Sequence, residues 1–248
     1  SIFNDDGDIV YNKIMSYIAS GLIGAGIGAK FGGVTGALIG LAAGVTLSLL
    51  INAIKDGYLD CKIEMVISDN PDAYGIKRAQ DNCIPVYVFD RKVYKKNLSD
   101  QILKTVEGRV DLIVLAGYLS IIRGEILSKF REKIINIHPS LIPEFCGKGM
   151  YGEKVHEAVI LNQKEESGCT VHFVDEGTDT GPVIMQKRIR LNENETAHSL
   201  ALRVHNLEYS SLLQTLKLFC DKRIKVSGGK VIIKESENVE KGINKCIL

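Results

Sequence analysis

The chain has no tryptophan, and only seven phenylalanines and nine tyrosines in 248 residues. So few rings exclude the aromatic platforms on which single-stranded nucleic acids stack. Neither charge sign is in surplus: 31 Lys and Arg face 30 Asp and Glu, for a formal net charge of +1. Binding to nucleic acid needs a basic excess to neutralise phosphates, so no nucleic-acid partner is expected. Small anionic substrates stay open. The six cysteines (Cys61, Cys83, Cys146, Cys169, Cys220 and Cys246) contain no CxxC pair and no Cys–His cluster at zinc spacing, so no metal is expected. The chain is neither short nor cysteine-dense, unlike secreted disulfide scaffolds, so reduced thiols in a cytoplasmic protein are expected. With 45% hydrophobic residues, it is not the composition of a disordered chain.

Charge is also missing locally. Between Ile14 and Ile54 the only charged residue is Lys30. Glycines fall at 24, 28, 32, 36, 40 and 44, a four-residue period. On a helix this period keeps them close to one face, and small residues so spaced let two helices approach closely. Residues 14–50 are therefore expected to form a glycine-zipper helical hairpin turning near Lys30–Gly33. Three readings stay open for this segment: a hairpin touching a membrane, a soluble helix pair, or a foreign N-terminus. Asp5, Asp6 and Asp8 precede it, where a signal peptide would carry basic residues. Two regions are expected: 1–50, the apolar segment, and 51–248, the main domain.

From about Asn52 the pattern changes to alternating strands and helices. KIEMVIS and IPVYV read as strands, and VDLIVLAGY reads as a parallel strand buried on both faces. LSDQILKTVEGR has helical spacing, and TAHSLALRVHNLEYSSLLQTLKLFC is a long amphipathic helix. KRIKVSGGKVII reads as a hairpin around Gly228 and Gly229. The expected fold class is α/β, a mainly parallel twisted sheet flanked by helices, with ligands bound at the carboxyl ends of the strands.

Two motifs carry chemistry. In INIHPSLIP, an apolar strand delivers Asn136 and His138 two residues apart, hence on the same side of the strand. An amide beside an imidazole can hold a developing oxyanion. A histidine merely satisfied at a strand end is the commoner alternative. In GCTVHFVDEGTDTGP, a strand carrying His172 runs into a loop with Asp175, Glu176 and Asp179. A carboxylate there can orient an imidazole and raise its pKa, or take a proton through water. A solvated acidic turn is the alternative, and fits Asp175 and Glu176 better than Asp179.

Together, NIHPSLIP and GxTVHFVDEGxDxGP resemble the folate-dependent phosphoribosylglycinamide formyltransferase family of purine biosynthesis. The stretches FCGKGMYGEKVHEAV, SDNPDAYGIKRA and VLAGY point to it within the wider formyltransferase superfamily, and the likeness spans roughly residues 46–235. The resemblance implies transfer of formyl from the co-substrate 10-formyltetrahydrofolate to the amine of glycinamide ribonucleotide, without a metal. It implies Asn136, His138 and Asp179 as catalytic residues. It implies a folate site from Tyr118, Leu119, Ile121 and Ile122 together with Val174, Asp175, Glu176 and Gly177. Ser120 stands where the family often has Arg. His205 and Glu208, from the helix match R-[VI]-H-x-x-E, would hold the ribonucleotide. The family's phosphate loop, SGxG[ST]N, is absent, leaving Gly44 and Thr46 where the loop should end, and Ala37–Leu41 as a stand-in for the first strand. Small-molecule substrates and a monomer or homodimer are expected. The alternative reading is a degenerate or chimeric relative, folate-binding or membrane-tethered, with little activity.

Overall fold

The computed structural model describes the backbone of residues 34–39, 44–118 and 120–235, and the side chains of 45–118 and 120–235. The strands are β1 (Val34–Ile39), β2 (Cys61–Ser68), β3 (Val86–Val88), β4 (Leu112–Leu115), β5 (Ile134–His138), β6 (Glu166–Phe173), β7 (Val183–Arg190), β8 (Ile224–Ser227) and β9 (Lys230–Ile233). The helices are α1 (Gly44–Lys55), α2 (Tyr74–Asp81), α3 (Arg91–Tyr94), α4 (Leu98–Val106), α5 (Glu125–Lys129), α6 (Glu153–Leu161) and α7 (Ala197–Cys220). Among the described residues, seven strands form one sheet in the order β3-β2-β1-β4-β5-β6-β7, and β8–β9 form a separate hairpin. Pairing is parallel from β3 to β5 and antiparallel at β5–β6 and β6–β7.

Apolar alternation explains the layers. Along β2, β4 and β5, Val66, Leu112, Val114 and Ile135 join a cluster with Leu47 and Leu50 of α1 and Leu212, Leu213 and Leu216 of α7. Met65, Ile67, Ile113, Leu115 and Ile134 face the other way, onto Leu98 and Ile102 of α4 and Ile126 of α5. Helices on both faces are what a parallel sheet requires, because its strands bury both sides. At its start α7 is capped by Thr196, which accepts from the Ser199 N–H, while the Ser199 hydroxyl takes the Thr196 N–H, satisfying two otherwise orphaned donors.

The helical hairpin expected over 14–50 is corrected in its second half. Val34–Ile39 is a strand, seated between β2 and β4 with Leu38 opposite both Val66 and Val114. Gly44–Lys55 is a helix whose Leu47 and Leu50 pack into the core cluster beside the sheet. The physical reason is that a short continuous apolar run fits a strand or a helix, and composition does not separate them. A period of four among glycines has meaning only on a helix, and Gly36 lies on a strand. The stand-in strand begins at Val34, not Ala37. Residues 14–33 and 40–43, with most of the proposed zipper and turn, lie outside the described residues. Among the described residues no helix is long and apolar enough to cross a membrane.

Candidate active site

The site is built first from β5 and β6. Antiparallel register sets Asn136 opposite His172 and His138 opposite Thr170. Asn136 Nδ2–H donates to His172 Nε2 at 3.2 Å, and His172 Nδ1–H donates to the Phe173 carbonyl at 2.8 Å. The ring is thereby held as the Nδ1–H tautomer. The β6–β7 register shifts at Val171/His172, a bulge of the kind that re-aims side chains beside active sites.

The loop leaving β5 is pinned from β6 and β7. The Thr170 hydroxyl donates to the Ser140 carbonyl at 2.7 Å. It accepts from the Ile142 N–H and from Gln186 Nε2. His138 is 4% exposed. Its Nε2 donates to the Phe145 carbonyl at 2.8 Å, and its Nδ1 lies 3.6 Å from Asp179 Oδ2.

Asp179 sits between two imidazoles, with Oδ1 3.5 Å from His172 Nε2, and it accepts the Gly147 N–H at 3.0 Å. Its φ of +58° is left-handed, a conformation Asp tolerates better than most residues but one that still costs energy. The loop closes tightly behind it: a Cβ on Gly181 would meet the Phe173 carbonyl oxygen at 1.9 Å, so only glycine fits there. Burial pushes the Asp179 carboxyl up, but the hydrogen bond from the Gly147 amide and the two nearby imidazoles outweigh it and hold the carboxyl below its ordinary value. His138 is lowered. Burial disfavours its cation, and the Phe145 carbonyl and Asp179 offset this only in part.

The cluster opens onto a cavity of about 610 Å³, a size typical of small-molecule sites. Its lining includes apolar Leu115, Ile121, Ile122 and Val174 and, from α1 and α7, Thr46, His205, Glu208 and Tyr209. Glu208 lies 3.6 Å from His205, and its side chain is 14% exposed. Burial pushes its carboxyl up to about 8. Behind them, His156 of α6 stands edge-on to His205. Its Nδ1 has no partner among the described residues, and burial lowers its imidazole to about 4.

Of the residues expected from the sequence, the cavity brings together Asn136, His138 and Asp179, then Tyr118, Ile121, Ile122, Val174 and Gly177, and finally Thr46, His205 and Glu208. Asp175 and Glu176 are not in its lining. Asp175 instead accepts from the Gly177 N–H and the Thr180 hydroxyl, which shapes the loop. Gly44 starts α1, and Leu119 lies outside the described residues. Two features were missed. The strand pattern puts His172 on β6 without a role, and its spacing from Asp179 is the signal that links them. The loop Gly147–Gly152, GKGMYG, lines the cavity, with positive φ at Gly147, Gly149 and Gly152. Three glycines in six residues were the signal there. Ser120 also lines the cavity and donates to the buried Asp69 at 2.7 Å.

Residues 37–216 match the Formyl transferase family. The chain belongs to that family. It is 40% identical over 175 residues to the chloroplastic phosphoribosylglycinamide formyltransferase of Vigna unguiculata, a match covering 69% of this chain and 56% of that one. It is 36% identical over 173 residues to the phosphoribosylglycinamide formyltransferase of Bacillus subtilis, covering 67% and 86%. The crystal structure of glycinamide ribonucleotide transformylase 1 from Symbiobacterium toebii superposes with a TM-score of 0.76 at 29% identity, covering 86% of this chain and all of that one. The chain thus spans little more than half the length of its plant relatives.

Proposed function

We propose that this formyltransferase moves the formyl group of 10-formyltetrahydrofolate to the amine of glycinamide ribonucleotide. The observation that carries the reading is the placement of Asn136, His138 and Asp179 together at a cavity of about 610 Å³, in a chain 36% identical to a relative bearing that enzyme's name. The apolar wall of Leu115, Ile121, Ile122 and Val174 suits a flat heterocycle. The Thr46–His205–Glu208 side suits a polar ribonucleotide.

The chemistry asks for a donor to an oxyanion and a route for one proton. Attack of the amine nitrogen on the formyl carbon places negative charge on the formyl oxygen. Asn136 Nδ2 carries a second N–H besides the one given to His172, and it is free to donate to that oxygen. The His138 Nε2–H points at the Phe145 carbonyl, so it serves the oxyanion only when that carbonyl withdraws. The glycines that follow Phe145 give the loop room to do so. Asp179 favours the His138 imidazolium as charge develops, and with His172 at 3.5 Å it offers a path for the proton leaving the amine. Free His138 is mainly neutral at neutral pH, because its pKa is lowered; the oxyanion supplies the negative charge that draws the proton onto the ring. Soluble co-substrates suit a cytoplasmic monomer or homodimer.

A donor labelled with carbon-13 in its formyl group tests the reading. The label is expected in an amide on the ribonucleotide. Label recovered only as free formate would contradict it.

A further inference from the structure

Part of the cavity lining comes from a segment with neither helix nor strand. β4 ends at Leu115 and α5 begins at Glu125; between them Gly117, Tyr118, Ser120, Ile121 and Ile122 line the cavity. Three ties hold this segment. Ile122 is buried in the cluster around Leu98 and Ile102 of α4. The Arg123 N–H donates to the Ser99 hydroxyl, also of α4, at 3.1 Å. The Ser120 hydroxyl donates to Asp69 Oδ2 at 2.7 Å. Asp69 directly follows β2, and β1 lies between β2 and β4 in the sheet. The third tie therefore reaches past β1 and links the carboxyl ends of two strands that do not pair, at the edge where such sheets bind ligands.

Asp69 is itself held in place. It is 6% exposed, its backbone carbonyl accepts the Arg91 N–H at 3.0 Å, and Arg91 Nη1 lies 3.7 Å from its Oδ2. A buried carboxylate with these partners is a fixed acceptor. That fixes what Ser120 can do. A serine hydroxyl has one hydrogen and two lone pairs. The hydrogen is committed to Asp69, so toward the cavity Ser120 offers lone pairs. An N–H or O–H can bond to it there. A carbonyl or carboxylate can do so only if the hydroxyl abandons the buried acid, which leaves that acid short of a partner.

Resting on the formyl-transfer reading of the cavity, we propose that Ser120 is a specificity contact accepting an N–H of the folate co-substrate, and that Asp69 is the positioning residue that acts through it. Asp69 touches no substrate. It sets the Ser120 hydroxyl and the path of residues 117–122 before the ligand arrives, so less ordering is left to be done on binding. An N–H is a fitting partner, because the reduced heterocycle of a tetrahydrofolate carries several while its carboxylates lie on the tail.

The test measures 10-formyltetrahydrofolate binding by calorimetry, and transfer kinetics with each substrate varied in turn, on the full chain. Ser120→Ala and Asp69→Ala are each expected to weaken folate binding about 3- to 10-fold, as loss of one neutral hydrogen bond does. The kcat and the ribonucleotide KM are expected to stay near wild type. Ser120→Thr keeps the hydroxyl and Asp69→Asn keeps an accepting oxygen, so both are expected to bind the folate within about twofold of wild type. Because Asp69 acts through Ser120, the double alanine variant is expected to bind no more weakly than the weaker single variant. Asp69→Leu takes the Asp69 arm should the alanine fail to fold. Ser120→Ala binding the folate as tightly as wild type would overturn the proposal, as would additive losses in the double variant. A wild-type chain that binds no folate would overturn the formyl-transfer reading, and the proposal with it.

Discussion

At the β5–β6 end of the cavity, Asn136, His138, His172 and Asp179 are bound to one another, to backbone carbonyls and to the Gly147 amide. At the α7 end, among the described residues, Glu208 has a half-exposed histidine at 3.6 Å, its carboxyl is raised to about 8 by burial, and the Nδ1 of His156 has no partner. The first end is satisfied before any ligand arrives, as preorganised electrostatic catalysis requires. The second holds desolvated groups in a state that costs folding energy until a partner relieves it. Chemistry and substrate binding are therefore expected to separate by mutation.

The largest effect is expected at the satisfied end. His138→Ala should cut the transfer rate by about 10²-fold or more, the loss typical of an oxyanion donor, with an unchanged far-UV spectrum. Steady-state kinetics check the first and circular dichroism the second. Asp179→Asn should follow. Asp179 raises the His138 pKa against burial, so removing its charge lets that pKa fall further. The imidazolium then forms less readily at neutral pH, and the rate should drop about tenfold for each unit of fall. The acid limb of the pH–rate profile should move to lower pH.

Glu208→Gln sharpens the contrast from the other end. Loss of a charged hydrogen bond to substrate should raise the ribonucleotide KM by about 10- to 100-fold and leave the maximal rate closer to normal. Stability should move the opposite way. Wild-type Glu208 has its folded pKa raised to about 8 from the ordinary 4.5, so the stability it contributes is full below about 4.5 and is lost as pH rises toward 8. The variant should therefore melt several degrees above wild type at pH 8.5 and close to it at pH 4.5. The smallest effect is expected at His156. Its pKa falls from 6.5 to about 4 on folding, so the unfolded chain binds more protons in that window and wild type loses stability as pH drops through it. His156→Phe should flatten the acid side of the Tm–pH curve.

The sequence made the satisfied end easy to read and the other end hard. Asn136 and His138 stand on a strand of plain period two, and Asp179 follows a strand of the same kind. Alternation alone fixes which side each pair faces, and the antiparallel register does the rest. The α7 end depends on a 24-residue helix packing against α6 and the start of α1, and packing leaves no local mark. Nothing in the helical stretch EKVHEAVIL marks His156 as buried, yet it is 1% exposed. The glycines before Thr46 misled for a related reason. VTGALI is a short apolar run without alternation, and such a run reads equally well as strand or helix.

The central claim is that the two ends divide the work, and one experiment separates them most directly. Single-turnover formyl transfer is measured against ribonucleotide concentration for wild type, His138→Ala and Glu208→Gln. The account predicts that His138→Ala lowers the plateau and leaves the half-saturating concentration in place, while Glu208→Gln moves the half-saturating concentration and largely keeps the plateau. Plateau and half-saturation moving together in both variants would contradict it.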